Sequence, residues 1–65
     1  MKGRVKWFST NKGFGFILGD DKKDYFVHFK QIMCEGFKTL DEGDNVIFEA
    51  GKSDKGLVAL NVKPD

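Results

Sequence analysis

Nine aromatic residues stand out in a chain of 65, and eight of them (Trp7, Phe8, Phe14, Phe16, Tyr25, Phe26, Phe29 and Phe37) precede Lys38. A core of this size cannot take eight large rings from one half of the chain without excluding its aliphatics. Several rings must therefore meet solvent, and an exposed cluster of large apolar groups marks a binding surface. The rings of Trp7, Phe14, Phe16, Phe26, His28 and Phe37 are interleaved with Arg4, Lys6, Lys12 and Lys38. A flat ring offers every base a stacking face, worth ~1–3 kcal/mol by alanine substitution, and a basic groove adds a salt-sensitive phosphate term. The combination points to single-stranded nucleic acid. Gly13 and Gly15, having no side chains, are read as leaving room for a base approaching Phe14.

Charge follows the same division. Up to Lys38 there are eight basic and four acidic residues, a balance of +4; from Thr39 onward three basic and six acidic residues give −3. The first nineteen residues contain no acid. The formal net charge of +1 hides one basic face suited to a polyanion.

Other chemistries lack their parts. Cys34 is the single cysteine and His28 the single histidine, so structural zinc, which takes four ligands, is not expected, and neither is any cofactor. Cys34 sits beside Glu35, which disfavours the thiolate a nucleophile needs. Gly13-Phe14-Gly15 is followed by no helix to receive a phosphate, so it is not a dinucleotide fingerprint. Without paired acids or an activated nucleophile, an enzyme is not expected. A small barrel that docks peptides on its aromatic face is the competing reading, although such ligands need no basic rim.

The elements that must position these residues are strands. No stretch keeps helical periodicity without an interrupting glycine. Runs of β-formers fall near Lys2–Thr10, Gly13–Gly19, Asp24–Phe29, Asn45–Ala50 and Leu57–Val62. Turn-forming residues separate them at Asn11-Lys12-Gly13, Gly19-Asp20-Asp21, Glu42-Gly43-Asp44 and Gly51–Gly56. A longer connection spans Phe29 to Leu40, with a single helical turn expected at Lys30–Met33. Five short strands without a covering helix hide their inner face only by closing, which predicts one domain, an all-β, five-stranded antiparallel barrel.

Alternation along those strands sorts the side chains. Ile17 and Val27 belong inside, which turns Phe14, Phe16, Phe26 and His28 outward and puts Tyr25 and Phe29 on the inner side. Val5, Ile32, Leu40, Val46, Phe48 and Val62 complete the expected core. Strict alternation would pair Val5 with Trp7, so a bulge near Trp7 is needed to hold one inside and the other outside.

Lys12-Gly13-Phe14-Gly15-Phe16-Ile17 and Tyr25-Phe26-Val27-His28-Phe29 resemble the two ribonucleoprotein motifs. With Lys6-Trp7-Phe8 and Glu35-Gly36-Phe37-Lys38-Thr39-Leu40, the whole chain resembles the bacterial cold-shock proteins. RNA-recognition-motif domains carry similar motifs but require two helices, more residues and the reverse motif order. The resemblance implies an oligonucleotide-binding (OB) barrel that holds single-stranded RNA or DNA and acts as a nucleic-acid chaperone affecting transcription and translation. It implies stacking by Trp7, Phe14, Phe16, Phe26, His28, Phe29 and Phe37, with Phe8 peripheral. Lys6, Lys12 and Lys38 would meet the backbone or bases, Asp24 a base edge, and Lys55 occupies a position where a basic contact is common.

Two positions depart from the family pattern. Tyr25 stands where an aliphatic residue is usual, so its phenol must fit the inner face or reach its rim. The last loop reads Lys55-Gly56-Leu57-Val58 in place of Gly-Pro followed by a polar or small residue, so no base contact is carried over to Leu57 or Val58. The chain has no apolar run near the roughly 20 residues that span a bilayer and no signal-peptide core. A soluble, cytoplasmic monomer without an obligate protein partner is expected.

Overall fold

β1 (Lys2–Ser9) and β2 (Phe14–Gly19) pair antiparallel in a computed structural model that describes residues 1–33 and 39–65. β3 (Asp24–His28) follows β2 through a tight turn, and a 3₁₀ turn at Phe29–Gln31 ends the first half. β4 (Asn45–Ser53) and β5 (Gly56–Pro64) form the second hairpin. The five strands close in the order β1-β2-β3-β5-β4.

Four seams are antiparallel, while β3 and β5 run parallel, pairing Phe26 with Val58. Geometry requires this departure from the all-antiparallel expectation. Directions cannot alternate around a ring of odd number, so one pair of neighbours must share a direction. Parallel neighbours need a long crossover, here the whole passage from His28 through β4.

The β1–β2 register moves from Val5↔Ile17 to Trp7↔Phe16, leaving Lys6 as the extra residue. This is the bulge that alternation demanded. It keeps Val5 buried and delivers Trp7, 41% exposed, to the opposite face. A second irregularity lies between Ile47 and Glu49, where Asn61 and Val62 of β5 both oppose Phe48. Asn61 takes a left-handed φ of 51° there, and its side chain donates to Glu49.

All eight expected core residues are buried, joined by Tyr25 and Ala59. Tyr25 is 3% exposed and packs on Phe48 with ring centroids 5.0 Å apart. Its hydroxyl reaches the rim and donates to Asp21 at 2.6 Å, so the phenol occupies both the inner face and the edge. This hydrogen bond is the main reason the Asp21 carboxyl titrates below its ordinary value and the Tyr25 phenol above its own.

Two other expectations change. Phe29 does not continue β3 inward: the strand ends at His28, and the 3₁₀ turn leaves Phe29 39% exposed. The break expected over Gly51–Gly56 shrinks to Asp54-Lys55, because the ladder continues through Gly51↔Val58, Lys52↔Leu57 and Ser53↔Gly56. Gly56, at φ 120°, supplies the backbone conformation that this short hairpin needs.

Candidate nucleic-acid interface

The pairing of β1, β2 and β3 lays their outward side chains in rows. Ser9, Phe14 and His28 form one row, and Trp7, Phe16 and Phe26 the next. Trp7 lies 6.0 Å from Phe14 and 5.6 Å from Phe16, between ring centroids. Phe26 lies 5.7 Å from each of the same two rings. These tilted and edge-on contacts brace the rings against each other while leaving them partly open to solvent.

His28 extends the surface toward the 3₁₀ turn. Its Nδ1 accepts the Lys30 N–H at 3.3 Å, so the neutral ring carries its proton on Nε2 as a donor. The imidazole lies over Phe29 with centroids 4.6 Å apart. Phe29 thus joins the platform through His28, by a route that strand alternation did not predict.

The two glycines of the motif serve the barrel, contrary to the expected clearance for a base. Gly15 is buried on the side of Ile17, and a methyl group there would collide with the Trp7 carbonyl oxygen and the Phe8 backbone. Its bare backbone lets β1 lie close against β2 where Phe8 pairs with it. Gly13 has φ +79°, and an added Cβ would stand 2.9 Å from the Phe29 ring. Phe8, opposite Gly15, packs against the core cluster and lies apart from the stacked rings.

Charged and polar groups border the rings. Lys6, freed from regular pairing by the bulge, reaches across to Asp24 with Nζ 3.2 Å from Oδ1. Both side chains are about half exposed, so the pair contributes no more than ~1 kcal/mol and parts readily. Lys12 is exposed in the β1–β2 turn, where Ser9 Oγ accepts its backbone N–H. Beside that turn the Thr10 and Thr39 hydroxyls are 2.8 Å apart. Phe37 and Lys38 lie outside the described residues.

A cleft of about 770 Å³ runs from Phe14, Phe16, Phe26 and His28 to Asp24 and the β4–β5 hairpin. Its far wall consists of Ser53, Lys55, Leu57 and Val58. The resemblance implies Lys55 at the site; Ser53, Leu57 and Val58 are additions that only the fold reveals. The parallel β3–β5 seam brings them in, since Val58 pairs with Phe26. The wall is more apolar than the family pattern implied, with a cation and a hydroxyl at its tip.

Aromatic faces, a carboxylate acceptor, an imidazole donor and separate lysines can stack bases, hydrogen-bond their edges and neutralise phosphates. Among the described residues no group of three or more His, Cys, Asp or Glu could hold a metal ion, and no helix is long and apolar enough to cross a membrane.

Residues 1–64 match the family described as the "Cold-shock" DNA-binding domain. The chain is 55% identical over 62 residues to Cold shock protein 2 of Lactiplantibacillus plantarum, covering 95% of this chain and 94% of that one. It is 57% identical over 63 residues to Cold shock-like protein CspC of Escherichia coli K12, covering 95% and 91%. The fold superimposes on a solved structure titled drosophila Unr CSD456 with a TM-score of 0.74 at 22% identity, covering 98% of this chain and 26% of that longer one. Family match, close relatives and closed five-stranded barrel agree: the chain belongs to the cold-shock domain family and is a nucleic-acid-binding domain of OB type.

Proposed function

We propose that this protein binds single-stranded RNA or DNA with little sequence preference and, by holding bases unpaired, acts as a chaperone that melts weak secondary structure. Transcription and translation are the processes such melting would affect, in the cytoplasm and in the response to cold. The observation that carries this reading is the mutual packing of Trp7, Phe14, Phe16 and Phe26 on a face whose reverse side is the sealed core. Large apolar rings kept at the surface cost solubility and give the core nothing, so a ligand accounts for them best.

Trp7, Phe14, Phe16, Phe26, His28, Phe29 and Phe37 are the stacking residues in this reading, with Phe8 behind them. Lys6, Lys12, Lys38 and Lys55 supply cations, and Asp24 accepts from a base edge once Lys6 moves aside. The bases themselves carry no side-chain code here, because a ring stacks on any of them. The protein works as a monomer and needs no cofactor or protein partner for binding.

Trp7 is the single tryptophan and lies in the platform, so its fluorescence reports occupancy directly. Titration with oligothymidine should quench it, and log affinity should fall linearly with log salt at a slope of roughly −0.7 per phosphate neutralised. Equal affinity for a duplex of the same length, or binding indifferent to salt, would reject the proposal.

A further inference from the structure

A third row lies beyond the two aromatic ones. Arg4 of β1 pairs with Leu18 of β2, and Leu18 pairs with Asp24 of β3. Leu18 follows Phe14 and Phe16 at the same two-residue interval, so it shares their outward face. It is 41% exposed, unusually open for a leucine at the centre of three strands. A cation stands on one side of this apolar floor and a carboxylate on the other.

We infer that the Arg4–Leu18–Asp24 row is an additional nucleotide subsite, occupied by the same single strand after it leaves Trp7, Phe16 and Phe26. The inference rests on the single-strand reading above and extends it. Leu18 supplies the apolar surface under a base or sugar. Arg4 holds a phosphate, and Asp24 accepts from the base edge.

Three observations favour this occupant. The row adjoins the aromatic platform on β2 and β3, whose pairing runs unbroken from Phe16↔Phe26 to Leu18↔Asp24, while on β1 the Lys6 bulge lies between Trp7 and Arg4. Arg4 is exposed, and among the described residues its one side-chain hydrogen bond is a 3.5 Å contact from Nε to Asn45, which does not use the terminal guanidinium nitrogens that suit a phosphate. A cleft of about 350 Å³ opens along Lys2, Arg4, Leu18 and Asn45, and Asp24, across Leu18 from it, lines the platform cleft. The smaller cleft also contains the Asp20 and Asp65 carboxylates, which offset the basic residues. No strong positive field gathers there, so the gain comes from the apolar floor and the Arg4 contact. The Lys6–Asp24 ion pair crosses β2 beside Leu18, and its weak, exposed geometry lets it part when the subsite fills.

The test compares the wild-type protein with Leu18→Ser and Arg4→Gln, using oligothymidines lengthened one nucleotide at a time and read by Trp7 fluorescence. Both residues are exposed, so both variants should melt with the wild type. Short oligonucleotides that fill only the aromatic rows should bind all three proteins equally. Once the strand reaches the third row, each variant should fall about three- to tenfold behind. With those longer strands, Arg4→Gln should also flatten the log–log salt slope by about 0.7. Equal affinities of all three proteins at every length, or the same loss at every length, would overturn the subsite. A wild-type protein that bound no single strand would instead reject the reading beneath it.

Discussion

The two faces of β2 do opposite work within six residues. Gly15, Ile17 and Gly19 point inward and are buried; Phe14, Phe16 and Leu18 point outward and stay partly or largely exposed. The inward set flanks Ile17 with two glycines, because a side chain at position 15 would strike the β1 backbone and one at position 19 would meet Asp21 and Tyr25. The outward set is large although, among the described residues, it stays partly or largely open to solvent. A strand under selection for stability alone would place its bulk where it can be buried. This one keeps two glycines inside and two phenylalanines outside, so the barrel supports the surface at the cost of its own core.

Breaking the inner face should have the largest effect. Phe48→Ala removes the largest fully buried side chain and should cost about 3–5 kcal/mol. Against a total of roughly 5–15 kcal/mol for a domain, that leaves little or no folded protein at physiological temperature in a thermal melt. Gly15→Val should be comparably damaging, since its side chain would strike the β1 backbone. Urea denaturation measures both.

Breaking the outer face should affect binding instead. Phe26→Ala should weaken oligothymidine binding by ~1–3 kcal/mol, about five- to more than a hundredfold. Its urea midpoint should stay close to wild type. Calorimetric titration separates that loss from any change in folding.

A smaller effect is expected where the inner face meets solvent. The Asp21 carboxyl titrates below 3.8 because the Tyr25 hydroxyl bonds to it, so that stabilisation is present above this value and disappears as pH falls through the depressed one. The Tyr25 phenol titrates above 10.0 for the same reason, so its share is present below pH 10 and disappears as pH rises through the elevated value. Wild type should therefore exceed Tyr25→Phe in melting temperature by a constant margin between these limits, narrowing at both ends. A margin independent of pH would place the effect in packing and not in the hydrogen bond. Smallest of all, Lys12→Gln should leave the melt unchanged and reduce the salt slope by about 0.7, one phosphate contact.

Alternation made most of this legible. With Ile17 and Val27 inside, Phe14, Phe16, Phe26 and His28 must face out, and a buried Val5 beside an outward Trp7 requires the bulge. The hidden parts were those set by contacts distant in sequence. Leu57 and Val58 of β5, and Ser53 paired with Gly56 at the end of β4, reach the cleft because β5 lies beside β3, a neighbour relation no local pattern encodes. The direction of that seam was available from parity, since five strands cannot alternate around a closed ring. Phe29 departs from alternation because period two stops at His28, where the backbone turns into a 3₁₀ helix. A ligand-side role for Gly15 fails because its steric demand comes from β1, visible only when the two strands are brought together.

The central claim is that the outer face of β2 serves the ligand and not the fold. The most direct test measures Phe16→Ala twice on one preparation, by urea denaturation and by titration with single-stranded oligothymidine. Affinity should fall at least about fivefold while the urea midpoint stays within the ~0.5 kcal/mol typical of surface substitutions. A large drop in midpoint with unchanged affinity would contradict the account.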